Sequence, residues 1–422
     1  MNKKIFTIGI ITLIVVGLGI FLSACTAQPK STSTPEPINQ HQVNLANGVV
    51  EANNLFAIDL YDKYKSKDGN LFFSPYSISS ALSMTYEGAR GKTAEEMQAV
   101  LHLPNDKNQI QSDFKNIYNE LNKANKTYQL TTANALWAQK DYPFKEDYFK
   151  LVDYYYGGKV TNLDFKTNTE NSRVTINNWV EDKTNDKIKD LIPKGILSSE
   201  TRLVLTNTIY FKANWSNKFK AESTRNRKFK LSSGQEVDAQ LMWQTSNYNY
   251  GETKDLQILE MDYLGNDLSM LFILPKEDKL NKVENDFSKD KLEDWKKDMK
   301  REKVSVTIPK FKFETKYFMA EDLKEMGMPN AFSNGADFSG MDGKKDLQIS
   351  QVIHQTFIEV AEAGTEAAAA TAVTMEAMTS AGPFHEEQPK IFTADHPFIF
   401  IIQQKETGNI LFMGRISNPT QK

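Results

Sequence analysis

Residues 362–378 read EAGTEAAAATAVTMEAM, seventeen side chains of which most are small. Alanine favours helix, but Gly364 opens the stretch and the β-branched Thr371, Val373 and Thr374 interrupt it. No core-facing stripe at helical spacing runs through it. Laid out as a strand, the stretch is consistent. Alternation puts Thr365, Ala367, Ala369, Thr371, Val373, Met375 and Ala377 on one uncharged face. Glu366 and Glu376 fall together on the other. Small residues beside Gly364 suit entry into a tight gap, and Val373 and Met375 would fill space deeper in. The segment reads as a strand in waiting. The competing reading is a flexible, low-complexity surface loop.

Just upstream, Val352, His354, Thr356, Ile358 and Val360 share one face of a strand whose other face carries Ile353 and Phe357. Such a strand is central and buried on both sides. Leu203 to Phe211 gives a second, Leu268 to Leu274 a third, and Val304, Val306 and Ile308 alternate in a fourth. The C-terminus reads as a hairpin, 398–402 and 410–413 across Glu406-Thr407-Gly408-Asn409. Helical spacing appears at Ala52, Phe56, Leu60 and Tyr64, at Ile78, Ala81, Leu82 and Thr85, and at Val174, Ile176, Trp179 and Val180. Thr93-Ala94-Glu95-Glu96 has the form of a capping box that starts a helix ending before Pro104. The charged run Lys296 to Lys303 reads as a solvated helical face. Without βαβ alternation, internal repeat or linker, residues 43–419 are expected to form one large α+β domain.

The chain has 422 residues, 40% of them hydrophobic, and its 51 Lys+Arg nearly balance 54 Asp+Glu. No concentrated basic excess supports general nucleic-acid binding. Lys3 and Lys4 precede an apolar run from Ile5 to Phe21, followed by Leu22-Ser23-Ala24-Cys25. LSAC resembles a bacterial lipobox. Residues 1–24 are therefore expected to be a signal peptide, and Cys25, the sole cysteine, the lipidated residue. The alternative is an uncleaved anchor helix. Residues 25–42, rich in Pro, Ser and Thr, would form a disordered tether. Both readings place the rest of the protein outside the cytoplasm, on a bacterial membrane through a lipid anchor in the first.

Several stretches together resemble the serpin family. The segment Glu362, Gly364, Thr365, Glu366, Ala367, Ala368, Ala369 and Ala370 is similar to the serpin hinge. NLFFSPYSIS (70–79), GARGKT (88–93), NTIYFKANW (207–215), AFSNGADFSG (331–340) and HPFIFII…LFMGRISNP (396–419) match along the chain. The resemblance implies a fold of about nine helices and three β-sheets with an exposed reactive-centre loop, about 364–390. It implies a suicide-substrate mechanism: a protease attacks the loop, forms an acyl-enzyme, and is trapped when the cut loop inserts into the main sheet. Counting from Gly364 as in inhibitory relatives, the reactive bond is Met378–Thr379. Ser74, Ser77, Asn207 and His354 match the shutter beneath the sheet opening, and Trp215 the breach where insertion begins.

Met378 suits an apolar primary pocket, so an elastase-, chymotrypsin- or subtilisin-like serine protease, or a cysteine protease, is the expected partner. A monomer is expected, with no cofactor and no metal. The rival classes are an enzyme and a non-inhibitory serpin acting as a binding or chaperone-like surface protein. No G-x-S-x-G, H-E-x-x-H or phosphate-cradling glycine loop occurs, and the five histidines are scattered. Apart from Glu366, residues 365–372 are small and uncharged. That favours insertion over a purely binding role.

Overall fold

The computed structural model describes residues 48–124, 126–277, 279–365 and 388–421. In chain order its helices are α1 Val49–Tyr64, α2 Pro75–Gly88, α3 Gly91–Val100, α4 Lys107–Leu121, α5 Glu146–Tyr156, α6 Thr169–Lys183, α7 Leu280–Asp286, α8 Lys289–Lys297, α9 Ala320–Met326 and α10 Ser339–Asp342. The strands are β1 Leu71–Phe73, β2 Tyr128–Gln139, β3 Lys159–Leu163, β4 Leu203–Asn214, β5 Arg225–Lys230, β6 Glu236–Glu252, β7 Leu256–Asp262, β8 Leu268–Pro275, β9 Lys300–Pro309, β10 Phe311–Phe318, β11 Gln351–Ala361, β12 Gly364–Thr365, β13 Lys390–Thr393, β14 Phe398–Gln404 and β15 Ile410–Ile416.

These elements make an α+β fold. Six strands form one sheet in the order β10-β11-β12-β4-β2-β3. The rest form a nine-stranded sheet, β1-β15-β14-β8-β7-β6-β9-β13, with β5 attached to β6. Two of the three expected sheets thus run together, because the seventeen-residue β6 serves both. Its first part, Glu236 to Leu241, pairs with β5, its last, Asn249 to Glu252, with β7, and Leu241 to Tyr250 with β9.

The apolar runs account for the core. Every residue of β8, β14 and β15 is buried, as expected of strands covered on both faces. Phe72 of β1 stacks on Phe400 and Phe412 and meets Phe313 of β10 edge-on at 6.2 Å, joining that layer to the six-stranded sheet. Helix α2 is buried along its whole length, although its sequence is rich in hydroxyls. Burial is tolerated where those groups find partners: Thr85 donates to the Leu82 carbonyl at 2.6 Å and Ser77 to Asn134 Oδ1 at 3.1 Å. One buried ion pair ties three elements together. Arg415 Nη1 lies 2.9 Å from Glu284 Oε1, and Tyr61 O–H donates to the same oxygen at 2.7 Å. Arg415 also donates to the carbonyls of Lys65 and Lys67, both at 2.6 Å, and so holds β15 and α7 to the end of α1.

Two local expectations are corrected. The helix containing Thr93 begins at Gly91, whose φ of +51° turns the chain two residues earlier, and its N-cap has no side-chain bond. Thr93 Oγ1 instead accepts from the Asp337 N–H at 3.0 Å, and Glu96 accepts from the Asn330 N–H at 2.9 Å. The capping-box residues are spent on tertiary contacts. Similarly, Lys296 to Lys303 is no continuous helical face: Lys297 ends α8 and Lys300 starts β9. The Lys296 ammonium is largely desolvated, which lowers its pKa, and it donates to Gln403 Oε1 at 3.0 Å.

Candidate functional site

The six-stranded sheet is closed at one end and parted at the other. β11 and β4 pair directly and in parallel from Gln351–Val204 to Thr356–Ile209. Beyond that they separate, and β12 enters between them, antiparallel to both. Thr365 lies opposite Val360 on one side and Ala213 on the other, and Gly364 opposite Ala361 and Asn214. The residue offset between β11 and β4 is the same in the closed part as across the wedge. Separation therefore needs lateral movement but no slip of register.

Gly364 is required by geometry. Its φ of +153° disfavours an L side chain, and a Cβ there would meet the Ala213 carbonyl oxygen at 2.0 Å and Asn214 Cα at 2.6 Å. Around it Trp215 is stacked on Tyr263 with ring centres 4.6 Å apart, and its indole N–H donates to the Ala361 carbonyl at 3.0 Å. Tyr263 O–H in turn meets Thr365 Oγ1 at 2.6 Å. Glu362 is gripped by Lys310 at 3.0 Å and by the Thr224 hydroxyl at 2.8 Å. Burial opposes its charge, but a backbone hydrogen bond, Thr224 and Lys310 outweigh it and hold the carboxyl below its ordinary pKa.

Lower in the sheet, under the closed pairs, lies a fully buried polar cluster. Ser74 caps α2: its Oγ accepts from the Ser77 N–H at 3.2 Å and donates to the Leu411 carbonyl at 2.6 Å. The Ser74 N–H donates to His354 Nε2 at 3.0 Å. A backbone N–H can only donate, so Nε2 is unprotonated and the proton sits on Nδ1, which donates to Asn207 Oδ1. Asn207 Nδ2 reaches Ser77 Oγ and Asn134 Oδ1, each at 2.6 Å. His354 on β11 and Asn207 on β4 are directly paired, so this cluster crosses the seam at which the sheet would part.

Burial, partly offset by the hydrogen bond to Asn207, lowers the His354 pKa to about 3. An unfolded histidine takes up its proton near pH 6.5. The stability His354 contributes is therefore complete above about pH 6.5 and is lost as the pH falls towards about 3, at up to about 1.4 kcal/mol per pH unit. Between about pH 6.5 and 5, before most carboxylates titrate, the denaturation midpoint of the wild type should fall with a slope that His354→Gln lacks. Equal slopes in the two proteins would exclude His354 as the cause.

The structure brings Ser74, Ser77, Asn207 and His354 together, and separately Trp215, Glu362, Gly364 and Thr365. Glu366 to Ala370, Met378, Thr379 and Cys25 lie outside the described residues. Four contributors carry no sequence signal that singles them out: Asn134, Tyr263, Lys310 and Thr224. The strand bearing Asn134 has broken alternation, and the other three look like ordinary surface or core residues until the chain folds. Trp215 was the available pointer to Tyr263, since a buried indole seeks an aromatic neighbour and an acceptor.

The model of the family described as serpin, serine protease inhibitor, matches residues 51–419. This chain is a serpin. A serpin-like protein of Thermococcus kodakarensis is 45% identical over 96% of this chain and 98% of its own. The bovine leukocyte elastase inhibitor is 40% identical over 87% of this serpin and 98% of its own length. Among solved structures, Serpin48 of the insect Tenebrio molitor, described as a highly specific serpin, superposes with a TM-score of 0.79. It is 33% identical over 88% of this serpin and 98% of that chain. The α+β serpin fold accordingly holds for the described residues of the matched region.

Proposed function

We propose that this serpin is a suicide-substrate inhibitor of a serine protease with an apolar primary pocket, cut at Met378–Thr379 and trapping the acyl-enzyme by loop insertion. The observation that carries the reading is the wedge of Gly364–Thr365 between β11 and β4, in one register with both. Extending that register gives each following residue a neighbour on either side. Ala367 would fall between Ile358 and Phe211, Ala368 between Phe357 and Tyr210, and Ala369 between Thr356 and Ile209. Alanine fits here because the flanking side chains are already large. Glu366, on the outer face, would lie between Glu359 and Lys212. Thr371 would arrive between His354 and Asn207, offering its hydroxyl where their mutual hydrogen bond is broken. Thr374 would lie opposite Gln351 and Val204, the last pair of the closed seam.

Lipidation at Cys25 would hold the inhibitor outside the cytoplasm on a flexible tether, as a monomer facing proteases that approach the membrane. The test is a panel of elastase-, chymotrypsin- and subtilisin-like enzymes. The expected result is a denaturant-resistant complex, a released fragment starting at Thr379, and a rise in the thermal midpoint after loop cleavage. Clean cleavage without a covalent complex or thermal gain would overturn the proposal in favour of a purely binding serpin.

A further inference from the structure

The link between β13 and β14, residues 394–397, carries a histidine whose two ring nitrogens are both committed. His396 Nδ1 lies 2.8 Å from Asp395 Oδ1, and Nε2 lies 2.6 Å from the Pro275 carbonyl oxygen at the end of β8. A carbonyl oxygen and an ionised carboxylate only accept, so both nitrogens must donate. The imidazolium can do this. A neutral ring satisfies one partner and turns a lone pair on the other. Burial works against the charge, but the bonds to Asp395 and Pro275, with Glu277 nearby, outweigh it and raise the pKa.

What this ring fastens is the end of a short edge strand. Among the described residues β13 pairs with β9 alone, from Lys390–Val304 to Thr393–Thr307. Past that ladder, the Ala394 N–H donates to the Thr307 carbonyl at 2.9 Å and the Lys230 N–H to the Asp395 carbonyl at 2.7 Å. Those two ties are indifferent to pH, whereas the third, through His396, is not. Phe392 is fully buried against Phe272, so β13 stays anchored to the core when the link beyond it loosens. Among the described residues, the charged groups facing the ring are Asp395 from its own link, Lys230 from the end of β5, and Lys276 and Glu277 from the segment after β8. Lys276 meets Glu252 at 2.8 Å and Lys230 lies 3.9 Å from Glu277, so neither lysine repels the imidazolium unopposed. α7 presents uncharged side chains to the same cleft, which holds about 310 Å³. The ring is 19% exposed there, enough to exchange its proton with solvent.

We propose that His396 is a proton-operated clasp that fastens the β13–β14 link to the end of β8, closed while the ring is charged and released when it is neutral. The sign follows from linkage. A histidine free of the fold gives up its proton near pH 6.5, and the clasped one does so at higher pH. Local opening of the link is therefore insensitive to pH below about 6.5. Above that it becomes easier by up to about tenfold per pH unit, and it levels off once the clasped ring has itself lost its proton. His354 acts in the opposite sense, since its contribution is lost on the acid side. The clasp is independent of whether the chain traps a protease.

The test reads deuterium uptake by peptides covering 390–397 of the intact protein, corrected for the intrinsic pH dependence of amide exchange. Wild type is compared with His396→Gln, which can still donate to Pro275 but does not titrate, and with Asp395→Asn, which removes the carboxylate. In wild type the corrected uptake rate should rise at least about threefold between about pH 6.5 and 8.5, while peptides from β15 show no such rise. His396→Gln should abolish the rise, and Asp395→Asn should shrink it by returning the ring towards its ordinary pKa. Equal pH slopes in wild type and His396→Gln would overturn the clasp. Nitrogen-15 shifts of the assigned His396 ring, read on wild type alone, keep the proposal testable should a variant fail to fold. They should show a doubly protonated ring with a titration midpoint clearly above about pH 6.5, and a midpoint at or below that value would overturn it.

Discussion

Thr371→Arg should turn the inhibitor into a substrate: the loop is cut, no covalent complex survives denaturation, and the thermal midpoint does not rise. In the extended register Thr371 enters beside His354 and Asn207, both of which are completely buried. A guanidinium brought there would be an uncompensated buried charge, which costs several kcal/mol. Insertion would stall about halfway down the seam, and deacylation would win. Thr371→Ser, which keeps the hydroxyl and the size, should trap normally. Glu366→Lys should act weakly by comparison, since its place is on the outer face, beside Glu359 and Lys212. Gel quantification of complex against cleaved inhibitor decides the matter. Full complex formation by Thr371→Arg would mean that insertion does not follow this register.

Glu284→Ala should destabilise the protein by about 3–5 kcal/mol, the usual consequence of leaving one partner of a buried ion pair alone. Arg415 would keep its carbonyl acceptors at Lys65 and Lys67 but lose its one buried counter-charge among the described residues, and Tyr61 its acceptor. Glu284→Gln, which preserves an acceptor, should cost less. Replacing both partners, as Glu284→Leu with Arg415→Met, should recover part of the loss by removing the stranded charge. Denaturant midpoints at neutral pH provide the measurement. A loss below about 1 kcal/mol for Glu284→Ala would show that water reaches Arg415 freely.

Much of this fold is legible in the sequence where the signal is local. β4, β8, β11 and β14 are continuous or alternating apolar runs, and burial on both faces leaves such runs little choice. The entry of the wedge is legible too: a side chain at Gly364 would strike the Ala213 carbonyl, so a glycine is what fits between the two strands there. What escapes is non-local. Asn134 belongs to the buried cluster because its amide meets Ser77 and Asn207, 57 and 73 residues away. Lys310 matters only because β10 folds beside β11 and brings it to Glu362. Thr93 shows the opposite error. Its local pattern was genuine, but the partner it finds across the fold, Asp337, outbids the one on its own helix.

The stack of Trp215 on Tyr263 gives the molecule its own optical reporter. Of five tryptophans, Trp215 alone touches the aromatic ring whose hydroxyl holds Thr365. Any advance of the loop into the sheet pulls on that hydroxyl first, and the indole's surroundings change before the lower strands have parted. A variant that keeps Trp215 as its one tryptophan, with Trp137, Trp179, Trp243 and Trp295 replaced by Phe, would therefore register in a rapid-mixing fluorimeter the first step of the conformational change separately from the last. The timing of the race between insertion and deacylation can be read from the emission of a single native side chain.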